Sequence, residues 1–321
     1  MHLNSIELFC GAGLIGEGFS RAGFHAIHAI DLDRDAVDSY NKNLKHSVAT
    51  VGDVSKVKKG IKCDLIIAGP PCQGFSTLGK RDKDDVRNKL SLLLVDWAIS
   101  TETKAIVIEN VPQFTRSNYY QELISSFKDI GYQHVMWEMN ASDFGAAQHR
   151  HRSFTIFSKI GLPKQPTTKK KKVSVRQAFK GLRKKPNASG MHSLPPPTEL
   201  SLERIKRIPK NGNKFDLMGT NPELCPKSWF KLGRQAVDVW GRMDYDAPAN
   251  TLRCCFLNPS KGRYIHPTEN RVITPREGAR LQGVPDHWEF SGSRYSSARQ
   301  IGNGVPIPLA ETVANAVRQI F

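Results

Sequence analysis

Short apolar runs alternate with amphipathic stretches from the start of the chain to about position 160. The apolar runs predict β-strands, and the amphipathic stretches predict the helices that connect them. Strands are predicted at residues 5–9, 25–30, 64–68, 105–109, 134–140 and 153–158. Helices are predicted at residues 15–22, 35–43, 89–100 and 120–129. This alternation is typical of an α/β fold with a doubly wound, mostly parallel sheet.

The pattern changes after about residue 162. Prolines, a run of lysines and the Pro195–Pro197 segment interrupt the periodicity, so clear helical or strand signals become sparse there. Strong signals return after Arg263. In "TPREGARLQGVP", Thr274 is predicted to cap a helix that has Pro275 at its first position and Glu277 at the capping-box position.

The last segment, "PIPLAETVANAVRQI", predicts an amphipathic helix. Its apolar face requires a partner, and the α/β region at the start of the chain is the expected one. That face carries Ile307, Val313, Ala314 and Val317.

Charge changes the picture of the middle segment. Between Lys159 and Lys214 there are sixteen lysines and arginines against two glutamates, which accounts for fourteen of the seventeen net positive charges. Such a block is either a solvated surface or a contact for a polyanion, because phosphates neutralised by lysine and arginine release their counterions. Its density favours nucleic acid.

Composition excludes several classes. The chain has no apolar segment long enough to span a membrane and no basic, apolar leader, so a soluble, unexported, cytoplasmic protein is expected. The six cysteines show no C-x-x-C pair and no companion histidines, so neither zinc nor a disulfide framework is indicated.

The stretch "IELFCGAGLIGEGF" predicts a nucleotide-binding loop. Gly11, Gly13 and Gly16 fit G-x-G-x-x-G, and Asp31 follows at the distance where an acid that binds a ribose is expected. By itself this pattern is that of an NAD-binding loop.

The stretch "DLIIAGPPCQGFS" predicts a nucleophile. An apolar strand leads into Pro70 and Pro71, which stiffen the turn, and Cys72 follows at the carboxyl end of the strand, where open α/β sheets place their active sites. The alternative is a cysteine that packs as a small buried hydrophobe.

Two further segments carry candidate chemistry. "AIVIENV" ends an apolar strand in Glu109, a position suited to general-acid work or simply to a helix cap. "AAQHRHR" places Gln148, Arg150 and Arg152 on one face of an extended segment, which suits either an anion or base edge or a solvated strand edge.

Six segments, in this order, resemble the motifs of the C5-cytosine DNA methyltransferase family of prokaryotic type. They are "FCGAGLIGEGF", "GPPCQGFS", "ENV", "QHRHR", "TPREGARLQGVP" and "IGNGVPIPLA". The resemblance implies a class I, Rossmann-like methyltransferase fold that binds S-adenosylmethionine and releases S-adenosylhomocysteine. It replaces the NAD interpretation, since nothing in the chain supplies hydride chemistry.

The resemblance also implies a domain organisation. Residues 1–160 are expected to form the catalytic and cofactor-binding domain, 161–262 a smaller, irregular target-recognition domain, and 263–321 a return to the catalytic domain. The substrate is double-stranded DNA, from which the target cytosine is flipped. A monomer is expected, either in a restriction-modification system whose cognate restriction endonuclease acts separately or as an orphan modification enzyme.

Carried over by motif, Cys72 is the nucleophile that adds to carbon 6 of cytosine, and Glu109 engages ring nitrogen 3. Arg152 donates to the 2-carbonyl, with Arg150 and Gln148 in support. The implied cofactor-binding residues are Phe9, Gly11, Ala12, Gly13, Leu14, Asp31, Leu32, Asp53, Val54, Pro70, Asn303 and Val305.

Candidate DNA contacts are Gln73, Ser76, Arg87, Arg204, Arg207, Lys210, Asn211, Asn213 and Arg253. Two residues depart from the family pattern: Leu14 replaces a glycine, and Leu32 stands where many relatives carry a bulky residue against adenine.

Two alternatives stay open. A branch with this fold methylates cytosine in tRNA, and the long basic segment favours DNA over it. The other is a catalytically silent DNA-binding protein, against which the intact Cys72, Glu109, Arg150 and Arg152 stand.

Overall fold

The computed structural model describes residues 3–44, 49–57, 60–71, 92–168, 171–183, 185–187, 189–231 and 236–321. The strands in these ranges are β1 (Leu3–Leu8), β2 (Phe24–Asp31), β3 (Ala49–Val51), β4 (Leu65–Ala68), β5 (Ala105–Asn110), β6 (Gln133–Asn140) and β7 (His151–Ser158). The α-helices are α1 (Leu14–Arg21), α2 (Arg34–Asn43), α3 (Leu93–Thr101), α4 (Asn118–Asp129), α5 (Val175–Ala178), α6 (Glu199–Arg207), α7 (Lys214–Thr220), α8 (Lys227–Lys231), α9 (Pro275–Leu281), α10 (Arg294–Asn303) and α11 (Ile307–Arg318).

The strands form one sheet in the order β3-β2-β1-β4-β5-β7-β6. The first five strands of this order are parallel to one another, whereas β7 is antiparallel to both β5 and β6. The predicted α/β class with a mostly parallel sheet is therefore confirmed. Every predicted strand is present, and the sequence missed only β3, whose three residues include two exposed ones and give no apolar run.

The described residues divide into two compact units. The first comprises Met1–Phe144, His151–Lys170 and Val305–Phe321, and the second comprises Gly145–Arg150 and Lys171–Gly304. Residues 263–304 thus have most of their contacts within the second unit. The functional domain boundaries expected at residues 160 and 262 stay a prediction.

In the first unit, helices cover both faces of the sheet. Ile6 and Leu8 of β1 point to the side of α3 and α4, where they join a buried cluster with Trp97 and Phe127. Alternate residues of a strand face opposite sides, so Glu7 points to the side of α1 and α2.

The terminal helix α11 packs on α1, as predicted. Ile307, Val313, Ala314 and Val317 are all fully buried. A side chain on Gly18 of α1 would lie 2.5 Å from Cβ of Ala310, so only a glycine permits this close approach.

The second unit contains more helix than the sequence indicated. Helices α5 to α8 lie between residues 175 and 231, where the sequence shows few helical signals. These helices have four to nine residues, which is too few for a helical period to be recognised in the sequence. The predicted cap of α9 is confirmed, since Oγ1 of Thr274 accepts from the Glu277 N–H and the Glu277 carboxylate accepts from the Thr274 N–H.

The guanidinium of Arg242 holds the irregular segments of the second unit together. This buried side chain donates to the carbonyls of Ile205, Ile208, His266 and Glu269 and to the side chain of Asn270, at 2.8–3.2 Å. No helix in the described ranges is both long enough and apolar enough to cross a membrane.

Candidate functional site

The loop between β1 and α1 has the geometry of a nucleotide cradle. Gly11 and Gly13 have φ angles of 54° and 82°, in the left-handed region that favours glycine, and Phe9 also has a positive φ. The Gly11 N–H donates to Oδ2 of Asp31 at 2.8 Å, which ties the loop to the end of β2. A Cβ on Gly11 would meet nothing within 4 Å, so the space over the loop is open to a ligand.

The next two strands add a carboxylate and an apolar surface at the same edge. Asp31 ends β2, and its burial raises its pKa although two main-chain N–H groups stabilise the carboxylate. Leu32 follows with 70% of its surface exposed. After β3, Asp53 carries an exposed carboxylate that accepts from Ser55, and this interaction lowers its pKa.

These groups suit an adenosine. A carboxylate beside a glycine loop can accept from ribose hydroxyls, and an exposed aliphatic side chain can cover a purine face. Ala12 and Leu14 lie in the loop and at the start of α1, and Val54 is buried directly after Asp53. The residues of the first unit therefore fit the cofactor that the sequence predicted.

Cys72, the predicted nucleophile, lies outside the described residues, but the start of its loop is described. Pro70 is buried after β4, and its carbonyl accepts from Nδ2 of Asn110 at 3.3 Å. Oε2 of Glu109 lies 3.7 Å from the position that a Cβ would take on Gly69. The ends of β4 and β5 thus bring Glu109 against Gly69, which precedes the nucleophile by three positions in the chain.

Glu109 has a charged partner from β7. Its Oε1 lies 2.7 Å from Nε of Arg152, and the two side chains are only 13% and 15% exposed. Antiparallel pairing sets Glu109 opposite Phe154, which places Arg152 near the end of β5. A shielded carboxyl group beside a guanidinium can bind two neighbouring polar atoms of one planar group.

Gln148 and Arg150 have different surroundings from Arg152. Both are buried in the second unit, where Gln148 donates to Gln282 at 2.8 Å and accepts from the Leu252 N–H at 3.2 Å. Arg150 donates to the carbonyls of Leu252 and Gly302 at 3.0 and 2.9 Å. These two side chains therefore hold main chain in place, whereas Arg152 meets the predicted catalytic carboxylate.

The sequence profile described as C-5 cytosine-specific DNA methylase matches residues 3–319. The chain belongs to this family. It is a DNA cytosine methyltransferase that depends on S-adenosylmethionine.

Curated relatives cover the same length. The chain is 31% identical to the type II methyltransferase M.XorII of Xanthomonas oryzae over 97% of this chain and 84% of that protein. It is also 31% identical to the type II methyltransferase M1.HphI of Haemophilus parahaemolyticus, over 99% of this chain and 87% of the relative.

Solved structures share the fold. A putative DNA modification methyltransferase encoded within an E. coli prophage has a TM-score of 0.70 and 25% identity, with 99% of each chain covered. The S. pombe Dnmt2 methyltransferase, at 19% identity, has a TM-score of 0.60 over 99% of this chain and 98% of its own. At that lower identity the likeness concerns the fold alone.

Several candidate DNA contacts of this methyltransferase have structural partners. Arg204 donates to the Leu224 carbonyl at 2.7 Å and lies over the rings of Trp229 and Trp240. The Asn213 side chain caps α7.

The other candidates are closer to the surface. Arg207 pairs with Glu203, Arg253 donates to the Lys261 carbonyl at 3.1 Å, and Lys210 and Asn211 are exposed. Gln73, Ser76 and Arg87 lie outside the described residues. The DNA-binding roles stay predictions.

Two positions complete the account of the predicted site. Asn303 ends α10 in the second unit, where its Oδ1 lies 2.8 Å from Sγ of Cys254, and Val305 is buried in the first unit. Sequence reasoning did not predict the hydrogen bond from the Asn110 side chain to the Pro70 carbonyl. The position of Asn110 beside Glu109 at a strand end was the only signal in the sequence, because this hydrogen bond depends on how β4 and β5 pair.

Proposed function

We propose that the chain methylates carbon 5 of cytosine in double-stranded DNA, with Cys72 as nucleophile, Glu109 at ring nitrogen 3 and Arg152 as donor to the 2-carbonyl. The observation that carries this assignment is the shielded Glu109–Arg152 pair beside the strand end that leads to Cys72. A cytosine presents an acceptor at nitrogen 3 and another at the neighbouring carbonyl. A protonated carboxyl group and a guanidinium are the donors that match these two atoms.

The residues act in sequence. The Cys72 thiolate adds to carbon 6, while Glu109 holds a proton at nitrogen 3 and Arg152 stabilises the charge that develops on the 2-carbonyl. S-adenosylmethionine, when bound, supplies the methyl group that carbon 5 receives. Loss of the proton from carbon 5 then expels the Cys72 sulfur and restores the aromatic ring. Gln148 and Arg150 support this chemistry by fixing the main chain around them.

The basic middle segment supports duplex DNA as the substrate. A cytosine must leave the base stack before a thiol can reach carbon 6, and contacts to phosphates offset part of that cost. Arg176 and Arg204 already have partners in the second unit, so the lysines of this segment are the better candidates for phosphate contacts.

The names of the curated relatives support a place in a type II restriction-modification system. A restriction endonuclease with the same recognition sequence would then act as a separate protein. We further infer a monomeric, cytoplasmic enzyme from the resemblance to prokaryotic members of this family.

The test uses S-adenosylmethionine labelled on the methyl group, offered with unmethylated duplex DNA or with tRNA, followed by bisulfite sequencing of the labelled product. Label in DNA at cytosines within one short repeated sequence is expected. Label only in tRNA would replace the DNA substrate by RNA. Absence of label in both, despite DNA binding, would favour a silent DNA-binding protein.

A further inference from the structure

A carboxyl group is buried beneath the helix that follows the cofactor loop. Glu7, the last residue but one of β1, is 2% exposed and lies between Ala29 of β2 and Ile67 of β4. Its Oε1 accepts from the Tyr40 hydroxyl of α2 at 2.7 Å. Its Oε2 has no hydrogen-bond partner among the described residues. The proposed catalytic steps do not use this residue.

The pair formed by Glu7 and Tyr40 supports both the loop and the start of α1. A Cβ on Gly16, in the first turn of α1, would lie 2.4 and 2.5 Å from the Glu7 carboxyl oxygens, so the helix rests directly on that group. A Cβ on Gly13 would lie 2.8 Å from the Tyr40 ring. Movement of either side chain would therefore displace the loop that carries Gly11 and Gly13.

The surroundings disfavour a charge on Glu7. Burial raises its pKa to about 7, against the lowering effect of the Tyr40 hydrogen bond. The nearby titratable groups are Cys10, Asp31 and His25. Cys10 interacts electrostatically with both Glu7 and Asp31. His25 and Glu7 line the same small cavity of about 50 Å³. No cation of the described residues contributes to the pKa of Glu7.

We propose that Glu7 and Tyr40 are positioning residues for the S-adenosylmethionine loop, and that the uncharged Glu7 carboxyl is the form that holds this loop in its binding geometry. When the carboxyl ionises, the charge with its one unpartnered oxygen requires water, and this water enters the cavity that Glu7 lines with Gly16 and loosens the contact between the carboxyl and the first turn of α1. Cofactor affinity therefore falls as the pH rises through neutrality. The proposal rests on the assignment of residues 9–14 to the cofactor.

The test is the dissociation constant of S-adenosylhomocysteine, measured by calorimetry at pH 6.0, 7.0 and 8.5 on the full chain. The native protein is expected to lose about tenfold in affinity from pH 6.0 to 8.5, the effect of a one-unit difference in the pKa of Glu7 between the bound and free states. Glu7→Gln stays neutral and isosteric, so it should keep the tighter affinity at every pH. Glu17→Gln, which removes a half-buried carboxylate that pairs with Arg21 on the same helix, should behave as the native protein.

Tyr40→Phe provides a second variant. It keeps the ring against Gly13 but removes the hydroxyl, so affinity should fall even at pH 6.0. Equal pH profiles for the native protein and Glu7→Gln would overturn the proposal, as would a pH-independent native protein with unchanged affinity in Tyr40→Phe. Absence of binding by the native protein at every pH would instead refute the cofactor assignment itself.

Discussion

Replacement of Arg242 by Met should unfold the second unit preferentially. The native guanidinium donates to four main-chain carbonyls and one amide oxygen, most of them buried. A methionine fills similar volume but donates nothing. The carbonyls of Ile205 and Ile208, for example, would lose these donors.

The expected loss of stability in Arg242→Met follows from the oxygen atoms that no longer have a donor. Each buried acceptor without a donor costs roughly 1–3 kcal/mol, but the five share one donor group and some can regain water. Because several of these acceptors would stay buried without a donor, we expect the free energy of unfolding to decrease by about 3 kcal/mol. The free energy of unfolding of Arg242→Lys should lie between those of the native protein and of Arg242→Met, since an ammonium has three donors instead of five.

The assay is urea unfolding combined with hydrogen exchange resolved by peptide. Protection should be lost in peptides from α6 and from residues 263–273, while peptides from β1 and β4 keep theirs. Arg207→Met is the matched control, because its exposed pair with Glu203 contributes little stability. A loss below about 1 kcal/mol in Arg242→Met would refute the structural role, since that is less than one unsatisfied acceptor.

Three further perturbations test the site and the packing, and a fourth tests a buried histidine. Cys72→Ala should abolish methyl transfer while DNA binding in a gel-shift assay persists, and full activity in that variant would contradict the proposed mechanism. Glu109→Gln should lower kcat about 100-fold or more with little change in KM, because an amide can donate a hydrogen bond to nitrogen 3 but cannot transfer a proton to it. An unchanged kcat in single-turnover assays would argue against its role. Gly18→Ala should lower the free energy of unfolding by about 1–3 kcal/mol, since the new Cβ would lie 2.5 Å from Cβ of Ala310, and an unchanged melting temperature would contradict that packing. Burial lowers the pKa of His266 from 6.5 to about 4, so the stability that this residue contributes should be lost as the pH falls through that window, and His266→Asn should flatten the pH dependence measured by urea unfolding.

The sequence by itself determined the elements whose signals are local. The apolar runs of β1, β2, β4 and β5 and the cap of α9 depend on residues within a few positions of one another, and all are present. The apolar face of α11 was visible for the same reason. The ordered motifs also identified the family, because each motif is contiguous in the chain.

The tertiary structure alone decided which distant residues meet. The pairing of Arg152 with Glu109 depends on β7 running antiparallel beside β5, and the strand pattern gives no direction. Arg204 reads as a surface cation, yet it lies over two tryptophans that come much later in the chain. In the sequence, Glu7 is an ordinary polar residue of a strand, and only the packing of α1 and α2 against β1 shows that it is buried. Local propensity acts over one or two turns of chain, whereas burial and charge pairing are set by packing between segments that the sequence leaves far apart.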